Sequence, residues 1–346
     1  GLCCPTMSLP ELWVSPPKVW FPSTVLTNED ILGRVRAAFT GDEAERIKLE
    51  RRIRSLWRAC QTDRRAWSDQ ALSVAPTGAI PAQALLDAHG LTGEDLDLVT
   101  FASFAREYYE PATAAELAAA IGAPRALAYD TMMACAGTIL SIQQIAGHAA
   151  ITPRFRRALI STATISHPGH VTYALQQAAD VDMLGAGLTL GHAASALMVS
   201  RERPVGGGGR VVATLAEGLS EHHALCRAPV HGHFVSDGVA MFALAYQLPD
   251  HWRRVMAPVG WDISDVDLFV AHQPSDTLLR GVARVCKVPN ERVAMVHHAI
   301  GNCAESSVPA ALDRMLAEGR LKPGMKVVLS AAASGFAMAT VLVEWG

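Results

Sequence analysis

An α/β protein made of two similar halves is the fold class the sequence predicts, and three observations predict it. The first is an internal duplication. Leu91-Thr92-Gly93-Glu94-Asp95-Leu96-Asp97-Leu98-Val99-Thr100 recurs 170 residues on as Trp261-Asp262-Ile263-Ser264-Asp265-Val266-Asp267-Leu268-Phe269-Val270. Arg157-Ala158-Leu159-Ile160-Ser161-Thr162 recurs 169 residues on as Lys326-Val327-Val328-Leu329-Ser330-Ala331. The second is the pattern of continuous apolar runs with helices between them, which indicates parallel strands buried on both faces. Two stacked α/β halves are the natural outcome. The third is Pro204-Val205-Gly206-Gly207-Gly208-Gly209, which divides the chain into residues 7–203 and 204–346. A phosphate loop would run on into Gly-Lys-Ser/Thr and a helix. Here Arg210-Val211-Val212-Ala213 follows, a strand, so the glycines form a turn.

The elements are justified in order. In each repeated segment an acidic turn precedes a buried strand. Residues 113–121 are Ala-rich and open just after Pro111, which suits a helix start. Residues 136–150 are apolar on most faces and read as a central buried helix. Residues 307–318 form another helix, with Gly319 just past its end.

The 346 residues are half hydrophobic and 18% charged, a globular composition. Net charge is −3, and no apolar run approaches the roughly 20 residues of a membrane span, so neither nucleic acid nor a membrane is indicated. Residues 1–6 precede Met7, which reads as a native start, and are set aside; no signal peptide follows. Seven widely spaced cysteines (3, 4, 60, 135, 226, 286 and 303) suit reduced thiols in a cytoplasmic enzyme. No CxxC pair is present, and adjacent residues such as His222-His223 or His297-His298 rarely share one metal, so no metal is expected.

Three polar residues stand out against apolar contexts. Cys135 lies in Ala134-Cys135-Ala136-Gly137, His272 in Ala271-His272-Gln273, and Asn302 in Gly301-Asn302-Cys303. A cysteine with a spatially adjacent His and Asn makes a thiolate nucleophile and a donor pair for a developing oxyanion. Cys135 falls at a helix start, where the helix dipole and free amide N–H groups stabilise a thiolate. That combination handles acyl thioesters. The bland alternatives are a small buried thiol, a satisfied core histidine and a turn former.

These motifs resemble the thiolase superfamily, and within it the β-ketoacyl-acyl carrier protein synthase III-like condensing enzymes. The resemblance also rests on Ser307-Val308-Pro309-Ala310-Ala311-Leu312, on Gly319-Arg320-Leu321-Lys322-Pro323-Gly324-Met325-Lys326, and on Ala333-Ser334-Gly335-Phe336. Tyr108-Tyr109-Glu110-Pro111-Ala112-Thr113-Ala114 is similar to a stretch of the head-to-head fatty acyl condensing enzymes of olefin biosynthesis, whose relatives make pyrones and β-lactone precursors. The resemblance implies a thiolase-like fold, layered α-β-α-β-α, in a homodimer. It implies that Cys135 takes an acyl group from coenzyme A or an acyl carrier protein. His272 and Asn302 would donate hydrogen bonds to a thioester enolate. Backbone N–H groups of Cys135 and of the Ser334–Gly335 turn would hold the tetrahedral oxyanion. Glu110 would reach the partner subunit's site as a base. No cofactor beyond the thioester substrates is implied.

Two departures, Pro274-Ser275-Asp276 after His272-Gln273 and the less glycine-rich Ala332-Ala333-Ser334-Gly335, favour a secondary-metabolism relative over primary elongation. Two other functions stay open: acyl transfer to an alcohol or amine, and a noncatalytic partner subunit. The basic stretch 48–58 offers Arg51, Arg54 and Arg58, with Arg154 as a second candidate, to coenzyme A phosphates or an acidic carrier protein.

Overall fold

A computed structural model describes residues 9–165 and 169–346. The segment before Met7, with Cys3 and Cys4, lies outside the described residues. Ten strands form one sheet: β1 (Trp13–Val14), β2 (Lys18–Trp20), β3 (Leu98–Ala102), β4 (Leu127–Thr131), β5 (Arg157–Thr164), β6 (Ala193–Ser200), β7 (Gly209–Gly218), β8 (Leu268–Ala271), β9 (Lys326–Ala333) and β10 (Ala337–Trp345). Their order is β8-β9-β10-β7-β1-β6-β5-β3-β4, with β2 also on β6. The helices that matter for the site are α1 (Glu43–Cys60), α2 (Val74–His89), α3 (Thr113–Ala120), α4 (Gly137–Ile151), α5 (Gly238–Ala245), α6 (Leu248–Met256), α7 (Asp276–Val285) and α8 (Ser307–Ala317).

Five layers result. Alternate strand residues face opposite layers, as the period of two requires. Leu98, Ile160, Val270 and Leu329 face a central layer made by α4 and α8, which contributes Ile139, Ile142, Val308 and Leu312. Val99, Phe101 and Leu159 face outward onto α2 and α3. Phe269 and Val328 face outward in the other half onto α6 and α7. Because both faces are covered, strands such as β8 and β9 read as near-continuous apolar runs.

The duplication is visible in bonds. Asp97 donates its N–H to the Arg157 carbonyl at 2.9 Å and accepts the Arg157 N–H on Oδ2 at 3.0 Å. Asp267 repeats this with Lys326 at 2.9 and 2.8 Å. Thr92/Asp95 and Asp262/Asp265 form matching capping boxes on the turns ahead of β3 and β8.

The apolar runs predict parallel strands, and the structure corrects this: the sheet is mixed. β3 is parallel to β4 and β5, and β8 to β9. β5–β6, β9–β10 and β10–β7 are antiparallel. Burial on both faces produces the same sequence pattern in either direction, and the three-residue connection from β9 to β10 allows only a hairpin. The two halves also share one sheet, because β1 pairs with β6 on one side and β7 on the other. Among the described residues no helix is long and apolar enough to cross a membrane.

Candidate active site

Cys135 sits in a one-turn 3-10 helix, Ala134–Ala136, that leads into α4 at the interface of the two halves. Asn302 precedes the equivalent turn, Ala304–Ser306, which leads into α8. His272 follows β8, with its N–H bonded to the Ser330 carbonyl of β9 at 2.8 Å. All three line one cavity of about 1380 Å³, together with Ser334 and Gly335 from the β9–β10 turn.

Gly301 explains how Asn302 is aimed. Its φ of +73° suits only glycine, and a Cβ there would come within 2.7 Å of the Thr189 carbonyl. That close approach lets the Asn302 N–H reach the same carbonyl at 2.8 Å. The Asn302 side-chain Oδ1 accepts the Ala304 N–H at 2.9 Å, which leaves the Nδ2 protons as donors to the cavity.

His272 differs from expectation. Its Nδ1 lies 2.7 Å from Ser307 Oγ. Ser307 has one hydroxyl proton, and gives it to the Ala304 carbonyl at 2.7 Å. The Ser307 oxygen therefore accepts, and His272 carries its proton on Nδ1. Nε2 is left as a lone pair, an acceptor rather than the expected donor. Burial, then the neighbouring His297, pushes the His272 pKa down to about 3, so the ring is neutral.

Cys135 also departs from expectation. Burial drives its pKa well above the ordinary thiol value, with Cys226 and Glu305 adding to the rise. Desolvation outweighs the helix terminus, and the resting group is a thiol.

The remaining candidates are less uniform. Glu110 is exposed, on the loop between β3 and α3, beside Tyr108 and Tyr109 at 61% and 78% exposure. It does not line its own chain's cavity and has no apolar surroundings there. On α1 the cavity face is Arg52, Ser55, Leu56 and Ala59, a helical i, i+3, i+4, i+7 stripe. Arg51 is exposed off that stripe. Arg54 pairs with Glu29 at 2.5 Å and lines, with Arg58, a separate polar cavity. Of the arginines on α1, it is Arg52 that lines the cavity holding Cys135. Arg154 follows the far end of α4, about 22 Å along its 15 residues from Cys135, and is exposed there. Arg52, paired with Asp182 at 2.6 Å, and exposed Arg227 are the cavity's arginines.

The histidine pair His297-His298 is engaged in structure: His297 bonds Thr62 Oγ1 at 2.6 Å, and His298 bonds Asp276 at 2.7 Å. Among the described residues no three His, Cys, Asp or Glu side chains converge as metal ligands.

Sequence reasoning missed Glu305. It is wholly buried, and burial raises its pKa from the ordinary 4.5 to about 7. The 170-residue repeat points to it, because that offset carries position 135 to position 305. A raised pKa means the folded state holds the proton more tightly than the unfolded chain. The stabilising contribution is therefore full below pH 4.5 and is lost as pH rises through 7. Glu305→Gln should thus gain about 3 kcal/mol on the wild type between pH 4.5 and pH 8, read by urea unfolding at both pH values. An equal stability gap at both would refute the buried titration.

A family model for the 3-oxoacyl-[acyl-carrier-protein] synthase III C terminal matches residues 256–345. β-Ketoacyl-[acyl-carrier-protein] synthase III of Pseudomonas aeruginosa is 29% identical over 265 residues, 76% of this chain and 80% of that protein. The Symbiobacterium thermophilum enzyme is 28% identical over 344 residues, 94% of this chain and 95% of that protein. The chain is thus similar to β-ketoacyl-[acyl-carrier-protein] synthase III enzymes along most of its length and to their C-terminal family model over its last quarter. Its fold is the thiolase fold of solved relatives. FabH from Pseudomonas aeruginosa superposes with TM-score 0.81 at 24% identity, covering 97% of this chain and 98% of that one. A variant of Xanthomonas campestris OleA superposes with TM-score 0.86 at 20% identity, covering 98% and 99%. Another OleA variant, with TM-score 0.86 at 20% identity over 97% and 99%, holds lauric acid and lauroyl-CoA. In this fold Cys135, His272 and Asn302 come from both halves to line one cavity.

Proposed function

We propose that this protein is a self-acylating condensing enzyme: Cys135 takes an acyl group from an acyl-coenzyme A or acyl carrier protein and joins it to a second acyl thioester. The observation that carries the reading is the convergence of Cys135, His272 and Asn302 on one largely apolar cavity. At about 1380 Å³ the cavity is larger than the ~300–1000 Å³ usual for small-molecule sites, and suits long acyl chains. Phe269 of β8, Leu279 and Val282 of α7, and Val293 are part of its apolar lining. Arg52 and Arg227, the arginines of its lining, are the proposed contacts for the phosphates of the carrier.

Acyl transfer generates a tetrahedral oxyanion, for which the N–H groups of Cys135 and Gly335 are the proposed donors. Condensation generates an enolate, which the Asn302 amide is proposed to hold. Two bases are candidates for the α-proton of the second thioester. One is the Nε2 lone pair of His272. The other is Glu110 of a second protomer. Strand β4 favours a dimer: it is one end of the ten-stranded sheet, with Leu127 and Met132 half exposed.

Glu110→Ala separates these bases. It should leave acylation of Cys135 intact and abolish carbon–carbon bond formation, followed by intact mass and by product analysis. Mixing Glu110→Ala with Cys135→Ala subunits should restore roughly a quarter of wild-type activity, because half the dimers are mixed and each has one intact site. If Glu110→Ala alone condenses normally, His272 is the base and the head-to-head likeness fails. No activity from the mixture would mean that Glu110 acts within its own chain.

A further inference from the structure

The repeat that builds the fold also aligns the two turns at its centre. Each opens on an alanine in the left-handed region, φ 43° at Ala134 and 38° at Ala304. Each leads into a central helix, α4 or α8, and the second position is Cys135 in one and Glu305 in the other. The carboxyl at that position has no exposed surface. Its Oε1 accepts from Ser103 Oγ at 2.7 Å, and its Oε2 has no hydrogen-bond partner among the described residues. The groups that favour its charge are the Ser103 and Thr164 hydroxyls and N–H groups, its own and that of Phe104, with no cation among them. Such a site is costly for a carboxylate, and a neutral side chain of the same shape would fill it without that cost.

The position supplies a reason to keep the acid. Thr138, three residues beyond Cys135 on the first turn of α4, donates its hydroxyl to the Glu305 carbonyl at 2.8 Å, which packs the two turns against each other; a charge on Glu305 raises the thiols of Cys135 and Cys303. Cys226 acts on Cys135 as well, and His272 is held on the other side of Ala304 by Ser307. Cys135 rests as a thiol and has to lose a proton before it attacks. His272, with a pKa near 3, is a weak acceptor, whereas Glu305, near 7, is matched to neutral pH. Glu305 also stays outside the cavity lining, so substrate does not displace it.

We propose that Glu305 is the proton acceptor of Cys135, taking the thiol proton as the acyl-enzyme forms and returning it when the acyl group leaves. This rests on Cys135 being the nucleophile proposed above. The thiol proton passes to the Glu305 carboxylate, and the thiolate sulfur bonds to the thioester carbonyl carbon. The carbonyl carbon–sulfur bond of the substrate breaks, and the departing thiolate takes a proton from water at the mouth. In the second half-reaction the enolate carbon bonds to the acyl carbon. The Cys135 thiolate is expelled and recovers its proton from the Glu305 carboxylic acid.

The test reads the thiol alone, so it stands or falls independently of condensation. Alkylation of Cys135 by iodoacetamide, followed by peptide mass spectrometry, should rise through pH 7 in the wild type to a plateau. In Glu305→Gln that rise should vanish, leaving alkylation at pH 8 on the order of a hundredfold slower, with a single rise at higher pH. Glu305→Asp, which keeps a titrating carboxyl one methylene shorter, should recover a rise with a displaced midpoint. The proposal is overturned if Glu305→Gln keeps the rise through pH 7, or if the wild type never shows it. Should Glu305→Gln fail to fold by circular dichroism, the Asp variant decides: a displaced midpoint supports the proposal, and an unmoved or absent one overturns it.

Discussion

Cys135→Ala, incubated with an acyl-coenzyme A, should keep its unmodified mass, while the wild type gains one acyl group per chain. Turnover should fall by several orders of magnitude, as when a covalent nucleophile is removed elsewhere. The control is built into the cavity, because Cys60 and Cys226 line it too. Cys60 ends α1 and Cys226 lies in a two-residue strand, so neither begins a central helix as Cys135 does. Both should remain unacylated. An acyl adduct persisting in the variant would place the nucleophile elsewhere, with Cys226 the first position to map.

Asn302→Ala should separate the half-reactions. Its amide is oriented by the Ala304 N–H, so the Nδ2 protons face the cavity, and His272 presents a lone pair instead of a second donor. The enolate would then depend on Asn302 for its donated hydrogen bond. Self-acylation should survive, while condensation should slow on the order of a hundredfold or more. Single-turnover mass spectrometry for the first step and product formation for the second would show it. Condensation at the wild-type rate would leave Asn302 a structural residue, and acyl transfer to an alcohol or amine would become the better reading.

The sequence carried the fold because the repeat is written in bonds as well as letters: Asp97 and Asp267 each cap the strand next to their own. It also carried Cys135, His272 and Asn302, since each sits alone in an apolar context. Strand direction was hidden, because burial on both faces erases the alternation that marks antiparallel pairs. The face of α1 was hidden for a related reason. Arg51, Arg52, Arg54 and Arg58 are alike in sequence, and only the packed neighbours select Arg52. The protonation of His272 was out of reach, since it depends on the single hydroxyl proton of Ser307, 35 residues away. Glu305 was within reach, being Cys135 displaced by one repeat, but a lone acid beside Asn302 carries no motif.

The chain order of the two halves has a consequence during synthesis. The face of α4 that carries Ile139, Ile142 and Ile145 is buried in part against α8, which starts 170 residues later. At roughly 5–20 residues per second, a ribosome needs on the order of ten to thirty seconds to supply that cover. For that interval the nascent chain presents an isoleucine-rich helix with a cysteine at its tip, before His272 and Asn302 exist. The protein is thus most exposed to premature aggregation and to stray thiol chemistry while it is being made, a period in which a chaperone holding the first half would protect both.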